Sequence, residues 1–125
     1  MCIRDSTCAW DKPGGFIGRE ALLRARQAGT PNRRLLQFRL ADAHELLHHE
    51  EPIFADGEPV GVITSGMYGH RIEASLGMGY VQRPHALTAD WIAATRFEIG
   101  VGDRRVAAAA QLGPWYDPTG TRVRQ

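Results

Sequence analysis

The sequence predicts a mainly β fold, a small antiparallel barrel or sandwich preceded by one helix. Three observations predict it. Short apolar stretches alternate with polar residues at a period of two along most of the chain, as half-buried strands do. Turn residues, among them Asp56-Gly57 and Gly102-Asp103, separate those stretches at short intervals. Helical periodicity is carried by Phe16–Ala28, which precedes every predicted strand.

Thr7–Gly15 is rich in turn residues, with Pro13, Gly14 and Gly15 together. In Phe16–Ala28, Ile17, Ala21, Leu22 and Ala25 fall near one helical face, and Arg19, Arg24 and Arg26 lie elsewhere. Gly29 ends that helix and Pro31 prevents its resumption, so Thr30–Asn32 reads as a linker. Arg33–Leu40 reads as a strand with Leu36, Phe38 and Leu40 on one face and Gln37 and Arg39 on the other. Ala41–Glu51 is a polar, histidine-rich connection. Pro52–Ala55 is a short strand, turned by Asp56-Gly57 into a second one at Val60.

Val60, Val62 and Thr64 alternate with Gly61, Ile63 and Ser65, which extends that strand. Gly66 and Gly69 predict a turn after it, because they reach backbone angles closed to β-branched residues. Leu76–Val81 reads as a strand in a crowded place, its small residues Gly77 and Gly79 marking the close approach of another backbone or a ligand. Gln82–Ala89 is a loop containing Pro84, and Thr95–Ile99 is a strand in which Phe97 and Ile99 alternate with Arg96 and Glu98. The turn at Gly102-Asp103 leads to a final strand, Arg105–Leu112, rich in alanine, and then to the tail Gly113–Gln125.

The chain of 125 residues is long enough for one domain with a real core, and 43% hydrophobic with 23% charged residues is the balance of an ordinary soluble protein. A net charge of +1 argues against nucleic acid and against a membrane surface as partners. No apolar run approaches the roughly 20 residues that span a bilayer. The two cysteines, Cys2 and Cys8, have neither metal-ligand nor redox spacing and suit a reducing compartment, so a cytoplasmic location is expected. Met1–Ser6 looks like a translated sequencing adapter, not a signal peptide, which implies a reading frame that begins inside a longer gene.

Several residues invite chemistry. His44-Glu45-Leu46-Leu47-His48 has the H-E-x-x-H spacing of a zinc hydrolase, which works only on a helix that puts both histidines on one face. Here it lies between two predicted strands among Asp42, Glu50 and Glu51, so a solvated loop is the simpler reading and no metal site is assigned. Thr64-Ser65-Gly66 offers hydroxyls to a ligand, or spends them on nearby backbone. No histidine–acid pair at a recognisable spacing supports a serine nucleophile. Trp115 and Tyr116 follow the last strand, where aromatic rings read as plugs on the barrel. Lys12 and Arg19 would pair with carboxylates or simply solvate a helix start.

The stretch Gly61-Val62-Ile63-Thr64-Ser65-Gly66, followed by Gly77–Val81, resembles the C-terminal domain of the aminomethyltransferase (glycine-cleavage T-protein) family. That pattern runs G-x-V-T-S-G, then a strand ending near A-x-x-Y-V; here Ile63 stands between Val62 and Thr64. Lys12, then Phe16-Ile17-Gly18-Arg19-Glu20-Ala21-Leu22, resembles the end of the preceding folate-binding domain, so two motifs occur in the family order. Tyr68-Gly69-His70 and the ending Tyr116-Asp117-Pro118-x-Gly120-x-Arg122 resemble the branch fused to flavin dehydrogenases of dimethylglycine and sarcosine.

The resemblance implies a C-terminal β-barrel over 31–125, with 7–30 as the end of an α+β folate-binding domain. It implies tetrahydrofolate as cofactor, FAD in a part of the polypeptide upstream, and the upstream domains and folate as partners. It places Thr64, Ser65, Tyr68, His70 and above all Tyr116 near the folate, with Lys12 in place of an arginine that 9–15 lacks. The acidic catalytic residue of the family belongs to the upstream part, so no catalytic residue is assigned here and the chain alone is not expected to turn over. A stand-alone aminomethyltransferase, a folate-dependent demethylase, a small zinc hydrolase using His44, Glu45 and His48, and a ligand-free barrel module are the competing expectations.

Overall fold

The first strand, β1 (Arg33–Leu40), alternates as the sequence predicts, with Leu36 and Phe38 fully buried, Leu40 nearly so, and Arg39 exposed. The computed structural model describes residues 9–122 and 124, so Met1–Ser6 and both cysteines lie outside the described residues. Before β1 stands α1 (Arg19–Gln27), and after it come β2 (Pro52–Ala55), β3 (Glu58–Gly69), β4 (Ala74–Gln82), α2 (Ala89–Ala94), β5 (Phe97–Val101) and β6 (Arg104–Gln111). The strands close into a barrel in the order β1-β4-β3-β2-β5-β6, every pair antiparallel. Closure gives every strand a neighbour on both sides, and it decides between barrel and sandwich.

Inward residues from five strands meet in one core: Leu36, Phe38 and Leu40 from β1, Ile53 and Ala55 from β2, Ile63 from β3, Val81 from β4, and Phe97 and Ile99 from β5, with the partly buried Val106, Ala108 and Ala110 of β6 packed against it. Phe38 meets Phe97 edge to face at 5.6 Å, and Trp91 meets Phe97 likewise. Three side chains from outside the strands, Leu47, Leu87 and Ile92, complete the packing. Asp56 and Gly57 both take positive φ in the hairpin joining β2 to β3, the geometry that a two-residue turn requires.

Four expectations are corrected. β3 does not turn at Gly66 but runs on to Gly69, paired with β4 through Ala74, and the chain reverses over 70–73 with Glu73 at φ 54°. The glycine at 66 is required for another reason: a Cβ there would fall on the backbone carbonyl of Leu47. The expected crowding at Gly77 and Gly79 is present, a Cβ at 77 lying 2.8 Å from Leu47 Cδ1 and one at 79 lying 2.6 Å from Ile53 Cδ1. The loop read over 82–89 contains the start of α2, a helix capped by Thr88, whose side chain accepts from the Trp91 N–H at 3.2 Å. The strand expected from Thr95 begins at Phe97.

The first helix is also shorter than predicted, beginning after Gly18 at φ 89° and ending at Gln27, with Gly29 at φ 98° just beyond its Ala28 cap. None of its residues is buried, and the nearby Ile17 is fully exposed. Its apolar face therefore does not pack into the barrel core.

Candidate functional site

Thr64 occupies a β-bulge: Ile63 faces Gly79 and Ser65 faces Met78, leaving Thr64 as the extra residue. Its hydroxyl donates to the Met78 carbonyl at 3.1 Å, so it satisfies backbone in the neighbouring strand. Ser65 is exposed on the outer face, opposite Met78. Tyr68 and His70 stand at the tip of the arm that β3 and β4 form beyond β2, their rings edge to face at 5.1 Å. Beside them Ser75, opposite Tyr68 and fully buried, has a hydroxyl with no hydrogen-bond partner.

The tail is built around Asp117. At φ 45°, its carboxylate accepts from the Thr121 N–H, the Thr121 hydroxyl and the Arg122 N–H at 3.0–3.1 Å. That turn returns Arg122 to Tyr116: its Nη1 donates to the Tyr116 hydroxyl at 3.2 Å, and its guanidinium carbon lies 5.7 Å from the ring centroid. Tyr116 remains 43% exposed. Arg122 is the residue that sequence reading missed as a companion of Tyr116. The signal was present in the Y-D-P-x-G-x-R spacing, whose Asp, Gly and Arg are the parts of this turn.

These residues are not gathered into one pocket. β6 runs antiparallel to β1 and ends with Gln111 beside Gln37, so the tail leaves at the end of the barrel that α2 covers. The Tyr68–His70 tip lies beyond the opposite end of β4. Lys12 is exposed in the segment before α1. Arg19 is engaged, its Nε donating to the Trp10 carbonyl at 3.3 Å. A cleft of about 910 Å³ at the junction of α1 with the barrel is lined by none of the residues the resemblance selects.

The H-E-x-x-H segment has no helix. The His44 N–H donates to the Asp42 carboxylate at 2.9 Å, the His48 N–H donates to Glu51 Oε1 at 2.8 Å, and Glu45 pairs with Arg104. Leu47, in the middle of the motif, is buried in the barrel. Among the described residues no group of three or more His, Cys, Asp or Glu side chains could hold a metal. Glu45 is thus committed to an arginine, and the segment serves to seat Leu47.

Comparison with known proteins adds sequence and fold relationships. The family model "Glycine cleavage T-protein C-terminal barrel domain" matches residues 33–117, from the first residue of β1 to the turn at Asp117. The chain is 35% identical over 118 residues to the 4-methylaminobutanoate oxidase (formaldehyde-forming) of Paenarthrobacter nicotinovorans, spanning 94% of this chain and 14% of that protein. It is 32% identical over 106 residues to the aminomethyltransferase of Synechococcus sp. (strain CC9902), 85% of this chain and 27% of that one. The crystal structure of glycine cleavage system aminomethyltransferase T from Bartonella henselae shares the fold with a TM-score of 0.62 at 22% identity, over 82% of this chain and 27% of that one.

Proposed function

The chain belongs to the glycine cleavage T-protein C-terminal barrel family, and from that premise we propose that it is the C-terminal barrel of a tetrahydrofolate-dependent one-carbon enzyme. The observation that carries the reading is the match over 33–117, which covers all six strands of the closed barrel. The parent reading is an FAD-dependent oxidoreductase of the dimethylglycine/sarcosine dehydrogenase type. Its flavin part would oxidise an N-methyl amine and its folate part would pass the one-carbon unit to tetrahydrofolate. The 35% identity to a protein named as a methylaminobutanoate oxidase, over 94% of this chain, supports that choice over a stand-alone aminomethyltransferase.

Segment 7–30 is assigned to the end of the preceding folate-binding domain. The solvent-facing Ile17 and the absence of any buried residue in α1 support this, since such a helix suits burial against something other than this barrel.

The described residues fit a wall of a folate site better than an enclosed one. Tyr116 offers an aromatic face with a hydroxyl already oriented by Arg122, the form that stacks on a flat ring system while keeping a polar handle. Thr64 serves the backbone instead, and the Tyr68–His70 pair stands at the other end of the barrel. Bound tetrahydrofolate would supply the nitrogen nucleophile that receives the one-carbon unit. The part of this chain is to orient that cofactor through Tyr116 and to keep water from one side of it. Proton transfer and carbon capture belong to residues outside it.

The test is the genomic reading frame upstream of Met1. A frame that continues into an aminomethyltransferase-like domain with an acidic residue, preceded by a dinucleotide-binding G-x-G-x-x-G, is the expected result. A folate domain without the flavin part would select the stand-alone aminomethyltransferase, and a genuine start codon with a ribosome-binding site at Met1 would overturn the reading.

A further inference from the structure

The cleft between α1 and the barrel has a chemistry of its own. Its lining combines Trp10 and the apolar surfaces of Pro31, Pro84 and Ala86 with two arginines, Arg26 and Arg34, and none of the described residues that line it is acidic. Arg34 is half-buried and held by one bond, Nη1 donating to the Leu87 carbonyl at 3.2 Å. Arg26 lies over Trp10, its guanidinium carbon 5.2 Å from the ring centroid. A guanidinium presents five N–H donors in a planar fork, so one bond or one stacking contact positions each group and leaves other donors for a ligand. Two like charges in one cleft without a carboxylate produce a positive potential there that an anion relieves.

We propose that this cleft is a binding site for a small organic anion, one that carries a carboxylate on an apolar or aromatic stem. The carboxylate is taken by Arg26 and Arg34 in charge-assisted hydrogen bonds, and the stem packs on the proline and alanine surfaces beside Trp10. A bare inorganic anion would leave that apolar surface wet, which is why the stem belongs to the assignment. The site is separate from the Tyr116 wall and independent of the one-carbon reading.

The experiment is calorimetric titration of the 125-residue chain with hippurate, and with hippuramide, which has the same stem without the charge. Hippurate is expected to bind and hippuramide to show no saturable binding. The hippurate Kd should rise about tenfold in Arg26→Met and in Arg34→Met, the scale of one charge-assisted bond in an open cleft, and should rise with salt. Arg34→Met also removes the bond to Leu87, so Arg26→Met, whose guanidinium lies over Trp10, is the cleaner variant. Equal binding of hippurate and hippuramide, no binding of hippurate, or an unchanged Kd in the Arg26→Met, Arg34→Met double variant would each overturn the assignment. Hippurate binding by a chain that does not respond to tetrahydrofolate would leave it standing.

Discussion

Leu47 reaches the barrel interior from an irregular connection, and its placement can be tested through the two glycines it touches. A Cβ on Gly66 would fall on the Leu47 carbonyl, whereas a Cβ on Gly77 would meet the Leu47 side chain, Cδ1 at 2.8 Å, and then Ile63 Cδ1 at 3.1 Å. Gly66→Ala therefore displaces the backbone at Leu47 and withdraws a side chain that is 1% exposed. Losing that packing costs about 2–5 kcal/mol, less the roughly 0.5–1 kcal/mol that alanine gains over glycine in a strand. Gly77→Ala overpacks the core by about 1–3 kcal/mol before the same correction.

Leu47→Ala alone costs about 2–5 kcal/mol, but it removes the atom nearest the new methyl at 77 and leaves the carbonyl near the one at 66. In the Leu47→Ala background Gly77→Ala should become nearly neutral, a coupling of about 1–2 kcal/mol, while Gly66→Ala keeps most of its cost. The assay is equilibrium urea unfolding followed by circular dichroism, with midpoints compared at constant m. Equal rescue of both alanines, or of neither, would refute the placement of Leu47.

Thr88→Ala removes the cap of α2 and should cost about 0.5–2 kcal/mol by the same unfolding assay, with Thr88→Ser restoring most of it. Glu45→Gln breaks the ion pair with Arg104, whose side chain is 62% exposed, and should cost less than about 1 kcal/mol, because an exposed pair is well screened. Gly57→Ala, at φ 92° with open space around its Cβ, should cost about 1 kcal/mol from backbone strain alone in that assay.

Much of the barrel was legible because it depends on local pattern. Leu36, Phe38 and Leu40 alternate with polar neighbours, Asp56-Gly57 is a turn of known geometry, and Gly29 ends a helix at positive φ. What was not legible depends on contacts between distant segments. Gly66 reads as a turn residue, and only the crossing of Leu47 shows that the strand continues and needs a missing side chain there. Leu47 itself is hidden inside a run of histidines and acids that imitates a metal motif. The second helix spans only Ala89–Ala94, too short for a 3.6-residue period to stand out, although Thr88 was a readable cap. At the candidate site, the Thr64 hydroxyl is committed by a bulge that no local pattern announces. The Tyr116–Arg122 pair was within reach, because an aspartate followed by Pro118 and Gly120 is a turn signal.

The proposal made above is that this barrel serves a folate site without performing an oxidation. It is tested most directly by Tyr116→Ala in the full-length polypeptide, with two activities measured on one preparation. On that proposal methylene-tetrahydrofolate formation would report a folate part, and N-methyl amine oxidation with an artificial electron acceptor in the absence of folate would report a flavin part. The expected result is a KM for tetrahydrofolate raised about tenfold, the scale of one lost stacking contact, with the oxidation rate unchanged. Unchanged kinetics for both activities, or a parallel fall in both, would contradict the account.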